Sequence, residues 1–378
     1  MSYPERLGRL RRALEAQSLD GLLVSQPESR YYLSGYTGHD LPPRDSAGYL
    51  LITPEQACLL TDPRTTEQAE RESPDFEVRA YAAGVRGPQA IVELARQLGL
   101  RRLGFESIHL PYGIWNEINT GLEHPLQPVE GLVDELRVLK DPAELACLQA
   151  AVDVLDRCLA DVLRRVEPGL TERHVARMVE LYLIEHADGP SFPSIVASGP
   201  NASVPHAVPS ERPIAEGEPL KIDIGARVSG YCSDMTRTVC LGTPSDQRLV
   251  DIHALVREAQ EVAERQVRPG MTGREVDSLA RDVLARAGYG DVFTHGLGHG
   301  IGLEVHEPPS LSQTRGDNVL RPGMVFSIEP GVYLPGWGGV RIEDLVVLED
   351  SAARILCNSP KDLAFSQSSI LAGGLLRT

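Results

Sequence analysis

Asp223, Asp234, His299, Glu329 and Glu343 are the residues of this sequence whose types and settings point to chemistry. Each lies in an apolar or glycine-rich, strand-like segment: IDIGARVSGYCSDMT for the aspartates, GLGHGIGLEVHE for the histidine, FSIEPGVY and VRIEDLVV for the glutamates. A charged side chain in such a setting is costly unless something compensates it. Two divalent cations would neutralise four carboxylates, so the set predicts a dinuclear metal site.

Strands must position these groups. Asp223 and Asp234 are equidistant from a turn near Val228-Ser229, eased by Gly225 and Gly230. A hairpin of residues 220–227 and 231–240 places them directly opposite on one face, with Ile222 and Ile224 on the other. Glu329 and Glu343 repeat the construction symmetrically about Gly336 in the loop LPGWGG. Arg341, two residues before Glu343, shares its face and is expected to orient a ligand. His295 and His299 have helical spacing, but glycines at 296, 298, 300 and 302 argue against a helix. An extended strand running through HGIGLEVHE leaves one histidine at the metal, and His299 is the expected one. The competing reading, solvated faces of amphipathic hairpins, draws on the 53 acidic residues; two symmetric pairs in the most apolar strands favour metal.

The surrounding chain reads as two domains, because 378 residues exceed one comfortable core. A helix over 5–17 is followed by apolar runs at 21–25, 47–53 and 57–61, a strand at 76–81, a helix over 88–99 and a strand at 103–106. That alternation predicts a small three-layer α/β domain over residues 1–132. EHPLQPVEGLV reads as its exit linker. Residues 133–378 open with a long helix after Asp141-Pro142 and carry an internal repeat. VEPGLTERHVARMVELYLIEHAD at 166–188 parallels VRPGMTGREVDSLARDVLARAGY at 267–289, with Thr171 and Thr272 as helix caps. A duplicated α/β half with pseudo-twofold symmetry follows, its site where the halves meet. A net charge of −16 argues against nucleic acid or an anionic membrane surface as the main partner. Six cysteines without paired spacing, no signal-peptide core and no long apolar run predict a cytoplasmic protein with free thiols.

The segments PHAVP, KIDIGARVSGYCSDMTRT, HGLGHGIGLEVHE, SIEPGVY and VRIEDLVV resemble the pita-bread dinuclear metallopeptidases. They are most similar to the Xaa-Pro peptidase branch, prolidase and aminopeptidase P, and residues 1–130 resemble that branch's N-terminal, creatinase-like domain. The resemblance implies an α/β (α+β) fold with a pita-bread catalytic domain and a homodimer whose N-terminal domain contributes to the interface. It also implies that Asp223 binds one metal, that Asp234 and Glu343 bridge two, and that His299 and Glu329 complete the ligand set of the second metal. His206 and His306 match positions lining the substrate site.

The implied activity is metal-dependent hydrolysis of an Xaa-Pro imide bond in a small peptide. Two ions about 3.5 Å apart can share a water and hold it as a bridging hydroxide. Glu329 is expected to take the water's proton and pass it to the imide nitrogen, which carries no hydrogen of its own. The oxygen-rich donors favour Mn²⁺, with Co²⁺, Zn²⁺ or Fe²⁺ as alternatives. One departure stands out. Dipeptide-cleaving relatives often carry an arginine shortly after the His-Glu pair, whereas here Pro308, Pro309 and Ser310 follow and the nearest arginine is Arg315. Arg44, in GHDLPPRDSAG, is the expected substitute for binding the substrate carboxylate. Aminopeptidase P activity on longer peptides is the first alternative; a non-catalytic binding protein on the same fold is the remote one.

Overall fold

The computed structural model describes residues 2–40 and 46–365. By contact density the chain forms two compact units, Met1–Arg137 and Val138–Thr378.

The first unit holds a six-stranded mixed sheet. Its strands are β1 (Gly21–Val24), β2 (Gly48–Ile52), β3 (Ala57–Thr61), β4 (Glu77–Ala80), β5 (Leu103–Glu106) and β6 (Gln127–Val129), in the order β4-β3-β2-β1-β5-β6. Helices α1 (Tyr3–Ala16), α2 (Pro27–Ser34), α3 (Thr66–Glu72), α4 (Gly87–Gln97), α5 (Tyr112–Gly121) and α6 (Asp134–Arg137) surround it. Alternation buries both faces. Leu23, Leu51 and Leu60 pack with Ile91, Leu94 and Ile118, while Leu22, Leu50 and Leu59 are also buried. The three-layer expectation holds. The segment read as an exit linker does not behave as one: it contains β6, which pairs in parallel with β5. Two prolines and a glycine suggested a linker, but an edge strand tolerates proline.

The second unit opens with α7 (Pro142–Arg165) and α8 (Glu172–His186). Five strands follow: β7 (Gly189–Pro190), β8 (Ile195–Ser198), β9 (Pro219–Ile224), β10 (Ala226–Val228) and β11 (Tyr231–Cys232). After β12 (Met235–Leu241) come α9 (Gln247–Gln266) and α10 (Gly273–Arg286). The second half then adds β13 (Gly298–Gly300), β14 (Glu307–Leu311), β15 (Val325–Ile328), β16 (Gly331–Leu334), β17 (Gly338–Arg341) and β18 (Asp344–Leu348). It closes with β19 (Ala353–Ile355) and β20 (Ala364–Phe365). Two main sheets result, β20-β12-β9-β8 and β14-β13-β15-β18-β19.

The repeat is visible as repeated backbone chemistry. Gly169 and Gly270 both turn at positive φ, +94° and +90°, and donate to Ile214 O and Leu320 O. Ile214 and Leu320 answer by donating to Leu170 O and Met271 O. The hydroxyls of Thr171 and Thr272 then cap α8 and α10 through the amides of His174 and Glu275. Each half thus pins its helix pair to the segment that leads into its own sheet in the same way.

Candidate metal centre

Breaks in two hairpins build the site. In the first, β9 and β12 pair Ile224 with Met235 and Asp223 with Thr236. The inner ladder of β10 and β11 closes through Ser229 and Gly230, at φ +50° and +78°, the geometry of a type I′ turn. Asp234 lies in the break just before β12. The expected direct opposition of Asp223 and Asp234 is therefore corrected: Asp223 faces Thr236, and Asp234 is its diagonal neighbour. The turn sits one residue later than expected, and moving a hairpin turn by one residue slides the pairing by two. An even slide preserves the face, so the carboxylates still converge.

The second hairpin keeps the expected symmetry. Gly331 pairs with Arg341 in the inner ladder and Ile328 with Asp344 in the outer one, which leaves Glu329 and Glu343 across from each other in the break. His299 comes from β13, its amide donating to Ser327 Oγ at 3.1 Å. A Cβ on the preceding Gly298 would lie 2.0 Å from Ser327 O, so this backbone approach requires glycine. The strand expected to run through HGIGLEVHE instead ends at Gly300, and residues 301–306 bend before β14. That bend returns His306 to the site, with its ring centroid 4.0 Å from that of His299.

One donor atom each from Asp234, His299 and Glu343 lie within 4.8 Å of one another. Glu329 Oε1 is 3.3 Å from His299 Nε2 and accepts from Ser327 Oγ at 3.1 Å. Arg341 donates to Asp223 Oδ2 and, through Nε, to Thr236 Oγ1 at 3.0 Å. Thr236 Oγ1 in turn donates to Glu343 Oε2 at 2.6 Å. Arg341 Nη1 donates to Tyr333 OH at 3.1 Å, and that hydroxyl shares a 2.9 Å bond with His295 Nε2. His295 is thus linked to Arg341 through Tyr333. His206 is exposed on the loop after the 3₁₀ turn Gly199–Ser203, and its charge helps lower the pKa of both His295 and His306. Arg315 is exposed, and Arg44 lies outside the described residues.

Burial and mutual repulsion dominate the electrostatics. Burial first, then Glu343, Asp223 and Glu329, raise Asp234 well above the usual carboxylate range. Burial with Glu329 and Asp223 pushes Glu343 up to about 8, against Arg341 and the Thr236 bond. Burial also acts on Glu329, but His299, His295 and Arg341 outweigh it and hold that carboxylate at about 2. His299 is raised to about 9, burial being overcome by its bond to Glu329 and the charges of Glu329 and Glu343. His306 is pushed down to about 4 by burial and by His299.

These groups fit a divalent-cation site. Asp223 Oδ1, Asp234 Oδ1 and Glu343 Oε1 are buried without a hydrogen-bond partner. Acceptor oxygens buried with no donor to meet them are what a cation would take. Sequence reasoning did not single out Thr236, Ser327 and Tyr333. The signal was available: they stand two or four residues from Asp234 or Glu329, on the same faces of their strands.

Residues 146–350 match the model of metallopeptidase family M24, and residues 6–139 match the creatinase/prolidase N-terminal domain. An uncharacterized peptidase of Bacillus subtilis, YqhT, is 39% identical over 95% of this chain and 99% of its own. The Xaa-Pro dipeptidase of Pyrococcus horikoshii is 35% identical over 95% of this chain and 98% of its own. The solved Xaa-Pro dipeptidase from Bacillus anthracis superposes with a TM-score of 0.90 at 37% identity, covering 96% of this chain and 99% of that one. The expected architecture, a creatinase-like α/β domain followed by a pita-bread unit, agrees with these matches. With the hairpin breaks, the buried carboxylates and the matched span together, the chain belongs to metallopeptidase family M24.

Proposed function

We propose that the chain hydrolyses the imide bond of Xaa-Pro dipeptides at this site, with Asp223, Asp234, His299, Glu329 and Glu343 holding two divalent cations. The observation that carries the reading is the set of buried, partnerless carboxylate oxygens beside His299 and His306, in a chain similar throughout to Xaa-Pro dipeptidases. When bound, such cations supply a water of lowered pKa and Lewis acidity toward the scissile carbonyl. The remaining work falls to side chains. Glu329, ionised and oriented by Ser327, is the group to accept a proton and return it to the leaving imide nitrogen. His306, neutral in this setting, and exposed His206 are placed to hydrogen-bond the substrate. Arg341 braces Asp223, Thr236 and Tyr333, which holds the donors in register before substrate arrives.

In the same reading the first unit is a creatinase-like domain, the second carries the chemistry, the native ion is Mn²⁺ and the assembly is a homodimer. Among the described residues no helix is long and apolar enough to cross a membrane.

The test compares Ala-Pro, Met-Pro and an Xaa-Pro-Yaa tripeptide after loading with Mn²⁺. The dipeptides should be cleaved with a kcat/KM at least ~10-fold above the tripeptide. A preference for the tripeptide would instead make the enzyme an aminopeptidase. Metal analysis after reconstitution should return two ions per subunit, and bound ions should raise the melting temperature by mass action. Fewer than one ion per subunit would sink the metal reading and revive the non-catalytic alternative.

A further inference from the structure

The loop that carries His206 has little backbone support of its own. Among the described residues, 205–209 make no backbone–backbone hydrogen bond, and Pro205 and Pro209 have no N–H to give. Val204 and Val208, on either side of the histidine, are 51% and 84% exposed. The flanking backbone bonds are those of the Val204 amide to Asn201 O and of the Arg173 amide to Ser210 O.

Between those anchors a buried lysine reaches the loop. Lys221 lies inside β9, a strand buried along its whole length, and is itself 0% exposed. Its Nζ donates to Val204 O at 2.7 Å, Pro205 O at 3.0 Å and Ala202 O at 3.4 Å. An ammonium carries three N–H donors, and each has a carbonyl. Arg341 Nη1 adds a weaker contact to Pro205 O at 3.4 Å. The Tyr333 ring stands 5.3 Å from Nζ. From below, β17 presses the start of the loop: a Cβ on Gly339 would lie 2.3 Å from Ala202 O. None of the ion pairs among the described residues involves Lys221. An apolar residue at this core position would avoid burying a charge, so the lysine serves something other than packing.

We propose that Lys221 is a positioning residue for the hydrolysis: its Nζ clamps the carbonyls of Ala202, Val204 and Pro205 and so fixes where His206 meets the substrate. The inference rests on the reading of His206 as a substrate-binding group. A misplacement of about 1 Å can cost on the order of 100-fold in rate, which gives the clamp its leverage.

The experiment is a double-mutant cycle on the full-length, Mn²⁺-loaded protein, comparing Lys221→Met, His206→Ala and the pair. Activity on Ala-Pro is read together with metal content and amide hydrogen exchange at Val204, the amide of the clamped segment that is bonded to Asn201 O. Lys221→Met should keep its metal content, lower kcat/KM by ~10–100-fold and speed exchange at Val204 by ~10-fold or more. Added to His206→Ala, it should cost less than about 2-fold further, because the two act as one unit. Lys221→Arg, which keeps cationic donors, should recover loop protection and part of kcat/KM; it also serves if the methionine variant does not fold. Costs that multiply in the double variant would overturn the clamp, as would wild-type exchange in Lys221→Met or an Arg variant no better than Met. If His206→Ala alone leaves kcat/KM unchanged, the reading of His206 fails and the inference falls with it. A damaging His206→Ala beside a silent Lys221→Met defeats the inference alone.

Discussion

At the residue scale the centre is a charge problem with one economical solution. Four carboxylates converge on the same volume, and Arg341, His299, His295 and Lys221 offset them in part. Burial and repulsion leave Asp234 and Glu343 holding protons well above the usual carboxylate range, and divalent ions would displace those protons. His306 is different in kind: its ring is tilted against that of His299 and lies at the solvent edge, and the proposed reading gives it to substrate rather than to metal. Replacing it should therefore separate the two roles. His306→Ala is expected to lower kcat on Ala-Pro by ~10²-fold or more while metal content stays at the wild-type level; an unaltered kcat would remove His306 from the mechanism. These residues were legible in the sequence because a carboxylate among Ile, Val and Gly is conspicuous. Thr236 and Tyr333 were not conspicuous, since a hydroxyl in a strand is ordinary until a neighbouring charge gives it a partner.

At the element scale, hairpin breaks do the positioning and helices brace them from behind. Helix α9 carries His253, which is 4% exposed. Burial lowers its pKa from 6.5 to about 4, assisted by Arg257 and Arg237 and opposed by the Thr238 backbone bond and Asp362. The folded protein therefore prefers this imidazole neutral. Below pH 6.5 the unfolded chain takes up a proton that the native state refuses, so stability is lost as pH falls toward 4 and is fully present above 6.5. The shift corresponds to about 3 kcal/mol. Urea melts of His253→Gln should show a shallower decline from pH 6.5 to 4 than the wild type; parallel declines would exclude His253 as the source. The hairpin symmetry about Gly336 could be read from spacing alone. The register of the first hairpin could not, because Ser229 adopts the left-handed conformation beside Gly230, and a serine is not an expected first turn residue there.

At the scale of the catalytic unit, the two halves are stitched by buried polar groups as well as by apolar packing. Arg237 leaves β12 of the first half and donates to Glu343 O, to Asp344 Oδ1 at 2.6 Å and to Ser359 O at 2.9 Å, all in the second. Lys361 closes the network onto Asp344 and Glu264. Removing one partner of such a pair strands a buried charge. Arg237→Met is expected to destabilise the protein by about 3–5 kcal/mol, seen as a lower urea midpoint with an unchanged slope. Arg237→Lys should fall between it and the wild type, and a loss below about 1 kcal/mol would show that the stitch contributes little.

The sequence by itself determined the candidate donor set, the two hairpins, the duplication and the three-layer N-terminal sheet. Each of these is written in local terms: period-two burial, glycine at a close approach, a capping threonine after PG. Tertiary structure alone decided how the donors face one another. It slid Asp223 opposite Thr236, folded His306 back over His299, turned a supposed linker into an edge strand and aimed Lys221 at three carbonyls. Those outcomes depend on contacts between segments far apart in sequence, such as Thr236 with Glu343 and Lys140 with Glu307. No local pattern encodes a distance across a seam; packing the two halves together sets it.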